Sequence, residues 1–304
     1  MDFHLSTNWN ASRHATGEGL VDEILELGFA GVELGYQLSE PQAAGVLRRV
    51  QAGAVRVGSV HAYAPYPLGA PGGHPELYLL ASRDEDERVM ATLLLQKTLR
   101  LAAEAGARAV VVHAGRIPVS PDSNELIESA EDDGITSRRY LKLWQRNQRR
   151  RARRTRKHLD ALCRSLDLIL PQCARLHLTL CLENLPSWEA LPTEEEMLEL
   201  HQRYASPHLA YWHDIGHGQV RENLGWIRHR EAAERLLPIT AGLHLHDVRP
   251  MAQDHLPPPY GTLPFAAFAF YGTAPVLRVL EPAPGIPAKD LVAARQHLQS
   301  VWSA

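Results

Sequence analysis

Along most of the chain, short runs of Leu, Val, Ala and Tyr alternate with longer stretches whose apolar residues recur every third or fourth position. The first pattern suits buried parallel strands, the second amphipathic helices. The runs fall at residues 3–7 (FHLST), 30–35 (AGVELG), 57–63 (VGSVHAY), 107–115 (ARAVVVHAG), 178–183, 209–214, 241–246 and 276–281. Helical spacing fills 17–28, where Leu20, Ile24 and Leu27 share a face, then 41–50, 84–105, 138–174 and 287–301. Strand–helix units of this number and length predict an α/β fold, a (β/α)8 TIM barrel spanning 1–304 as a single domain. No Gly-x-Gly-x-x-Gly follows a strand, which counts against an open doubly wound sheet holding a dinucleotide.

Four of the runs end on a carboxylate or an imidazole: LCLENLP at Glu183, LAYWHDIGH at Asp214, AGLHLHD at His244 and PVLRVLEP at Glu281. In a barrel the strand C-termini share one face, so these four side chains are expected to converge. Two Glu, one Asp and one His make an oxygen-rich ligand set for one divalent cation such as Mn, Mg, Co, Fe or Zn. Glu33, His61 and His113 also fall at strand ends, and His217 lies three residues past Asp214. Each has a plainer reading: a Glu paired with an Arg, Asp214 as a helix N-cap, Glu33 as a core polar group. Trp188 and Trp212 read first as packing residues, with Trp188 in the LPSWE loop also a candidate for stacking on a sugar. Of His244 and His246, only one is expected to face the barrel axis.

Two long connections depart from the alternation. Residues 64–84 are rich in Pro and Gly and suit a shaped lid after the third strand. The stretch 116–157 is a polar and basic insertion. It is read as a polar loop holding ELIESAEDD (125–133), followed by a segment at 138–157 with eleven Lys or Arg. A solvated face on an elongated helix is the expected reading of that segment, ahead of an anion-binding surface. With 304 residues, 45% apolar content, a net charge of -3 and a pI near 6.6, nothing global draws the chain to nucleic acid or membrane. Cys163, Cys173 and Cys181 form no CxxC and read as reduced thiols. No apolar signal region and no long apolar span are seen, so a cytoplasmic protein is expected.

Together GVELG near Glu33, SVHA at 58–61, VVVHAG at 110–115, LENLP at 182–186, HDIGH at 213–217, HLHD at 244–247, HLPPPYGTLPF at 255–265 and LEP at 280–282 carry a resemblance. The chain resembles the xylose-isomerase-like TIM-barrel superfamily, which includes sugar isomerases and epimerases and the apurinic endonuclease family 2 fold. The resemblance implies metal ligation by Glu183, Asp214, His244 and Glu281, His244 being selected by the H-x-x-D phrase. It implies substrate contacts, or further metals, at His61, His113 and His217. Glu33, His255 and Trp188 are further candidates for substrate contact. The endonuclease branch has an Asp-x-His motif where this chain reads Gln253-Asp254-His255, so a carboxylate is displaced.

The expected activity is that of a divalent-metal-dependent sugar or sugar-phosphate isomerase or epimerase working through a metal-stabilised enediolate. Glu183 and Glu281 would remove and return the proton. A metal-dependent phosphodiesterase of the endonuclease kind is the alternative, and a glycoside lyase a third. The partner expected is a small carbohydrate. Nucleic acid is not favoured, no membrane contact is expected, and a homo-oligomer is allowed.

Overall fold

The computed structural model describes residues 1–303. Eight parallel strands close a barrel in chain order. They are β1 (His4–Ser6), β2 (Gly31–Leu34), β3 (Val57–His61), β4 (Ala109–Val112), β5 (Thr179–Glu183), β6 (Leu209–Asp214), β7 (Thr240–Leu245) and β8 (Leu277–Leu280). β1 pairs with β8 through His4–Val279 and Leu5–Leu280, which closes the ring. Outside lie α1 (Gly17–Glu26), α2 (Glu40–Gln51), α3 (Glu85–Glu104), α4 (Ser123–Asp133), α5 (Arg138–Leu176), α6 (Glu194–Tyr204), α7 (Ile215–Asn223), α8 (His229–Leu236) and α9 (Ala288–Trp302). The α/β barrel expected from the alternating pattern is the fold observed.

The period of two along each strand divides the core. Ala109, Val111, Cys181, Trp212 and Val279 form a cluster within the barrel, while Val110, Leu180, Tyr211 and Leu243 belong to the larger core that includes buried helix residues. Trp212 fits because β7 presents a glycine to it: a Cβ at Gly242 would stand 2.1 Å from the indole. Further along β6 and β7, at the strand ends, the inward positions are Asp214 and His244. The polar site is thus stacked on an apolar plug that closes the barrel beneath it.

The acidic run 125–133, expected in a loop, lies in α4. Asp122 accepts from the Glu125 N–H at 3.1 Å, Glu125 accepts in turn from the Asp122 N–H, and Gly134 at φ 79° ends the helix. Leu126 and Ala130 are buried, so an apolar stripe outweighs the surrounding charge. α5 runs for 39 residues, about 58 Å at 1.5 Å per residue. Its basic half is partly consumed at home. Arg139 pairs with Asp132 and Asp133 at 3.3 and 3.1 Å, Arg150 and Arg154 donate to the Ser120 and Pro118 carbonyls, and Arg156 meets Asp160 at 3.0 Å. Arg151 is buried and grips Glu196 through two bonds of 2.6 and 2.8 Å. Arg138, Lys142, Arg146, Arg149 and Arg153 are exposed.

Residues 62–84 form neither helix nor strand. Gly73 seats this segment where a Cβ would fall 1.7 Å from the Tyr36 carbonyl oxygen, and Gln37 donates to the Gly73 carbonyl at 3.1 Å. The next residues, His74, Pro75 and Glu76, reach the barrel mouth. Among the described residues, no helix is long and apolar enough to cross a membrane.

Removing one partner of a buried ion pair leaves the other charged and unsolvated. Arg151→Met should therefore destabilise the protein by about 3–5 kcal/mol in urea unfolding. Arg153→Gln, two residues on and exposed, should stay within about 0.5 kcal/mol. Equal losses would show that the Arg151–Glu196 pair does not anchor α5.

Candidate metal centre and cavity

The centre is organised around one imidazole. His244 is fully buried, and its Nδ1 lies 2.9 Å from Glu183 Oε1, 3.1 Å from Glu281 Oε2 and 3.8 Å from Asp214 Oδ2. One ligand atom from each of these four residues falls within 4.8 Å of the others. On its far side His244 Nε2–H donates to Glu33 at 3.0 Å, and Glu33 also accepts from the Ser59 hydroxyl at 2.7 Å. Glu33 thus orients His244, which directs Nδ1 at the carboxylates. Three carboxylates crowded in a buried spot repel one another strongly without a positive charge. Without metal, a proton on His244 answers them: burial alone would lower its pKa, but Glu281, Glu33 and Glu183 raise it well above the ordinary value. His244, His113 and hydrogen bonds outweigh burial at Glu183 and hold its carboxyl well below the usual range, whereas burial leaves that of Glu281 raised. Hard oxygen donors with one imidazole, all aimed inward, fit a divalent cation.

Asp214 both caps and faces the cluster. It accepts from the His217 N–H at 2.7 Å as the N-cap of α7, while its Oδ2 lies toward His244. Asn184 ties the ends of β5 and β6 together: it donates to the Asp214 carbonyl at 2.9 Å and accepts from the Asp214 N–H at 2.7 Å. Its own carbonyl accepts from His217 Nδ1–H at 2.9 Å. Asn8, in the 3-10 turn just after β1, donates to Glu281 at 3.3 Å, and Gly35 makes room for it, since a Cβ there would stand 2.1 Å from the Asn8 amide.

Above the four residues lies a cavity of about 210 Å³ lined by Tyr36, His61, His74, Glu76, His113, Arg116, Leu185, His217 and His255, with Glu183 and Glu281 at its floor. His61 and His113 approach Glu183 Oε2 at 3.1 and 3.3 Å. Glu76 lies 3.8 Å from His113 Nδ1 and accepts from Arg116 at 2.8 Å. Burial opposes a charge on His113, yet Glu183 and Glu76 raise its pKa to about 9. His255, at φ 54°, donates Nδ1–H to the Glu281 carbonyl at 2.9 Å. Asp254 comes to 3.9 Å from His217 Nε2 despite its shifted place in the sequence.

One expectation needs correction, and for Trp188 the packing reading holds while the substrate-contact alternative falls. Residues two apart on a strand share a face, so His246 points to the site along with His244; its ring packs at 4.0 Å on His255. Trp188 does not line the cavity. Its ring packs at 4.9 Å on Trp144 and 6.1 Å on Trp226, beneath the Arg221 guanidinium. Asn8, Tyr36, His74, Glu76, Arg116, Asn184 and Leu185 are among the neighbours that the sequence reading leaves out, and His246 is named there only as the alternative to His244. Asn184 and His246 lie inside phrases already singled out, whereas Glu76 comes from a loop with no periodic signal.

The family described as xylose isomerase-like TIM barrel matches residues 21–270. The chain belongs to that family. Among solved structures, a D-tagatose 3-epimerase-like protein superposes with a TM-score of 0.72 at 19% identity, covering 100% of this chain and 97% of that one. A 3-keto-D-glucoside 4-epimerase from E. coli gives 0.69 at 17%, with 99% of each chain covered. A protein from Thermus thermophilus, soaked with ZnCl2, gives 0.62 at 20%, covering 100% and 98%. A search of curated proteins finds no match.

Because the folded pKa of His113 stands above its ordinary 6.5, its protonation stabilises the metal-free protein fully below about pH 6.5. That contribution is lost as the pH rises through about 9. NMR titration of metal-free protein should place the His113 midpoint near that upper value, and Glu76→Gln should lower it. An unchanged midpoint in the variant would remove Glu76 from this network.

Proposed function

We propose that the protein is a metal-dependent sugar isomerase or epimerase. The observation that carries this reading is the pair of buried carboxylates, Glu183 and Glu281, held 2.9 and 3.1 Å from a single imidazole nitrogen at the floor of a small cavity. The family and its epimerase neighbours support it. A divalent cation bound by Glu183, Asp214, His244 and Glu281 would supply Lewis acidity for a carbonyl and an adjacent hydroxyl.

The rest falls to the chain's own side chains. Glu183 and Glu281 come from β5 and from the residue after β8, so they approach a substrate from different sides of the mouth. One carboxylate takes the proton from the carbon beside the carbonyl. The other Glu, entering the step as the carboxylic acid, returns its own proton to the opposite face, giving an epimer, or to the neighbouring carbon, giving an isomer. His61 and His113 fix Glu183, and Asn8 fixes Glu281. The Tyr36 hydroxyl stays protonated, because burial and then the Glu281 and Glu183 charges raise its pKa, and it can donate to a sugar oxygen. A chamber of about 210 Å³ is smaller than the ~300–1,000 Å³ clefts of drug-sized ligands and suits one sugar ring. Arg116, the lone Lys or Arg among the described residues lining it, is already matched by Glu76, which favours an uncharged sugar over a sugar phosphate.

A second reading, a phosphodiesterase, draws on two further donor groups, His61–His113–Glu183 and His217–His246–His255. Such hydrolases place ions about 3.5–4 Å apart, so it requires two or three per chain.

Purified protein supplied with Mn2+ should convert members of a panel of free ketoses to their epimers or isomers, with deuterium from D2O entering at the altered carbon. Glu183→Gln and Glu281→Gln should each lower turnover by at least about 100-fold, the lower end for proton-transfer groups. Hydrolysis of a phosphodiester with no exchange into any sugar would replace the reading by the second one.

A further inference from the structure

Both ring nitrogens of the fully buried His246 are committed. The His255 backbone N–H donates to Nδ1 at 2.9 Å. Nδ1 is therefore the unprotonated nitrogen, and in a neutral ring the proton sits on Nε2. Nε2 in turn lies 2.9 Å from Asp214 Oδ1 and 3.0 Å from Oδ2.

The fold reserves a slot for this ring. A Cβ at Gly216 would stand 2.0 Å from the imidazole, so only glycine there leaves room. The other side is covered by His255, stacked at 4.0 Å and 22°. Asp214 is consequently held by two donors, the His217 N–H at 2.7 Å and His246 Nε2–H. Its Oδ2 meanwhile lies 3.8 Å from His244 Nδ1, at the cluster.

We propose that His246 is a positioning residue for the metal centre, fixing the Asp214 carboxylate through Nε2–H without being a ligand itself. The proposal rests on the reading of Glu183, Asp214, His244 and Glu281 as that centre. It also decides between two uses of the second donor group. His217, His246 and His255 each offer a nitrogen within 4.8 Å of the others. To ligate an ion, His246 would have to give up either the His255 N–H or Asp214. His217 is under no such demand, since its Nδ1–H goes to the Asn184 carbonyl and leaves Nε2 free. With His246 committed, that group is left with two of its three donors.

The test is calorimetric titration of metal-stripped protein with Mn2+ alone. Wild type should bind one ion per chain. His246→Leu should bind the same number with affinity reduced about 10- to 100-fold, the usual loss when a partner of a ligand is removed. His246→Gln, whose amide N–H reaches about as far as Nε2–H, should recover most of the affinity. In metal-free wild type, 15N chemical shifts should report the Nε2-protonated tautomer. Equal affinity in wild type and His246→Leu would overturn the proposal alone, and so would a Nδ1-protonated ring. A second ion lost in His246→Leu would also overturn it, by making His246 a ligand. Wild type binding no Mn2+ would overturn both the proposal and the metal-centre reading. Should His246→Leu fail to fold, the glutamine variant and the tautomer measurement still decide the matter.

Discussion

Four carboxylates, those of Glu33, Glu183, Asp214 and Glu281, are buried around one imidazole, and the architecture of the mouth follows from keeping them there. Such charges stay ionised in an interior only when each is matched by a proton, a donor or a cation. His244 matches three of them directly, with Glu33 on its Nε2 side and Glu183 and Glu281 on its Nδ1 side. Asp214 is matched by a helix N-terminus and by His246. The barrel makes this feasible by ending its strands together on one face, above a plug of Trp212 and small aliphatic residues that keeps water from below.

That arrangement explains the glycines as well as the acids. Gly35, Gly216 and Gly242 carry no side chain because Asn8, His246 and Trp212 respectively occupy the space. Each places a partner beside or beneath the buried charges. In the same way the connection after β3 is seated by Gly73 so that Glu76 can reach His113 and Arg116.

How much is legible in the sequence depends on the kind of signal. Strand ends can be read because an apolar run stopping at Glu183 or Asp214 is a local pattern, and the barrel makes one face from all such ends. Glu33 and His61 are placed for the same reason. The acidic run at 125–133 is misread when charge density is weighed above the Asp122–Glu125 capping box and the Leu126–Ala130 stripe, both present in the sequence. His246 is misplaced by a wrong count of strand faces, not by a missing signal. Trp188 is read first as a packing residue and is one, but its partners, Trp144 and Trp226, lie on segments distant in sequence and could not be named. Glu76 and Arg116 come from connections whose path is set by backbone contacts, which composition does not encode.

Anomalous diffraction from a crystal soaked in Mn2+ tests the central claim most directly. The account predicts one peak per chain, bounded by Glu183, Asp214, His244 and Glu281 with ligand distances of about 2.0–2.6 Å. A peak among His217, His246 and His255 with those four residues left unligated would contradict it.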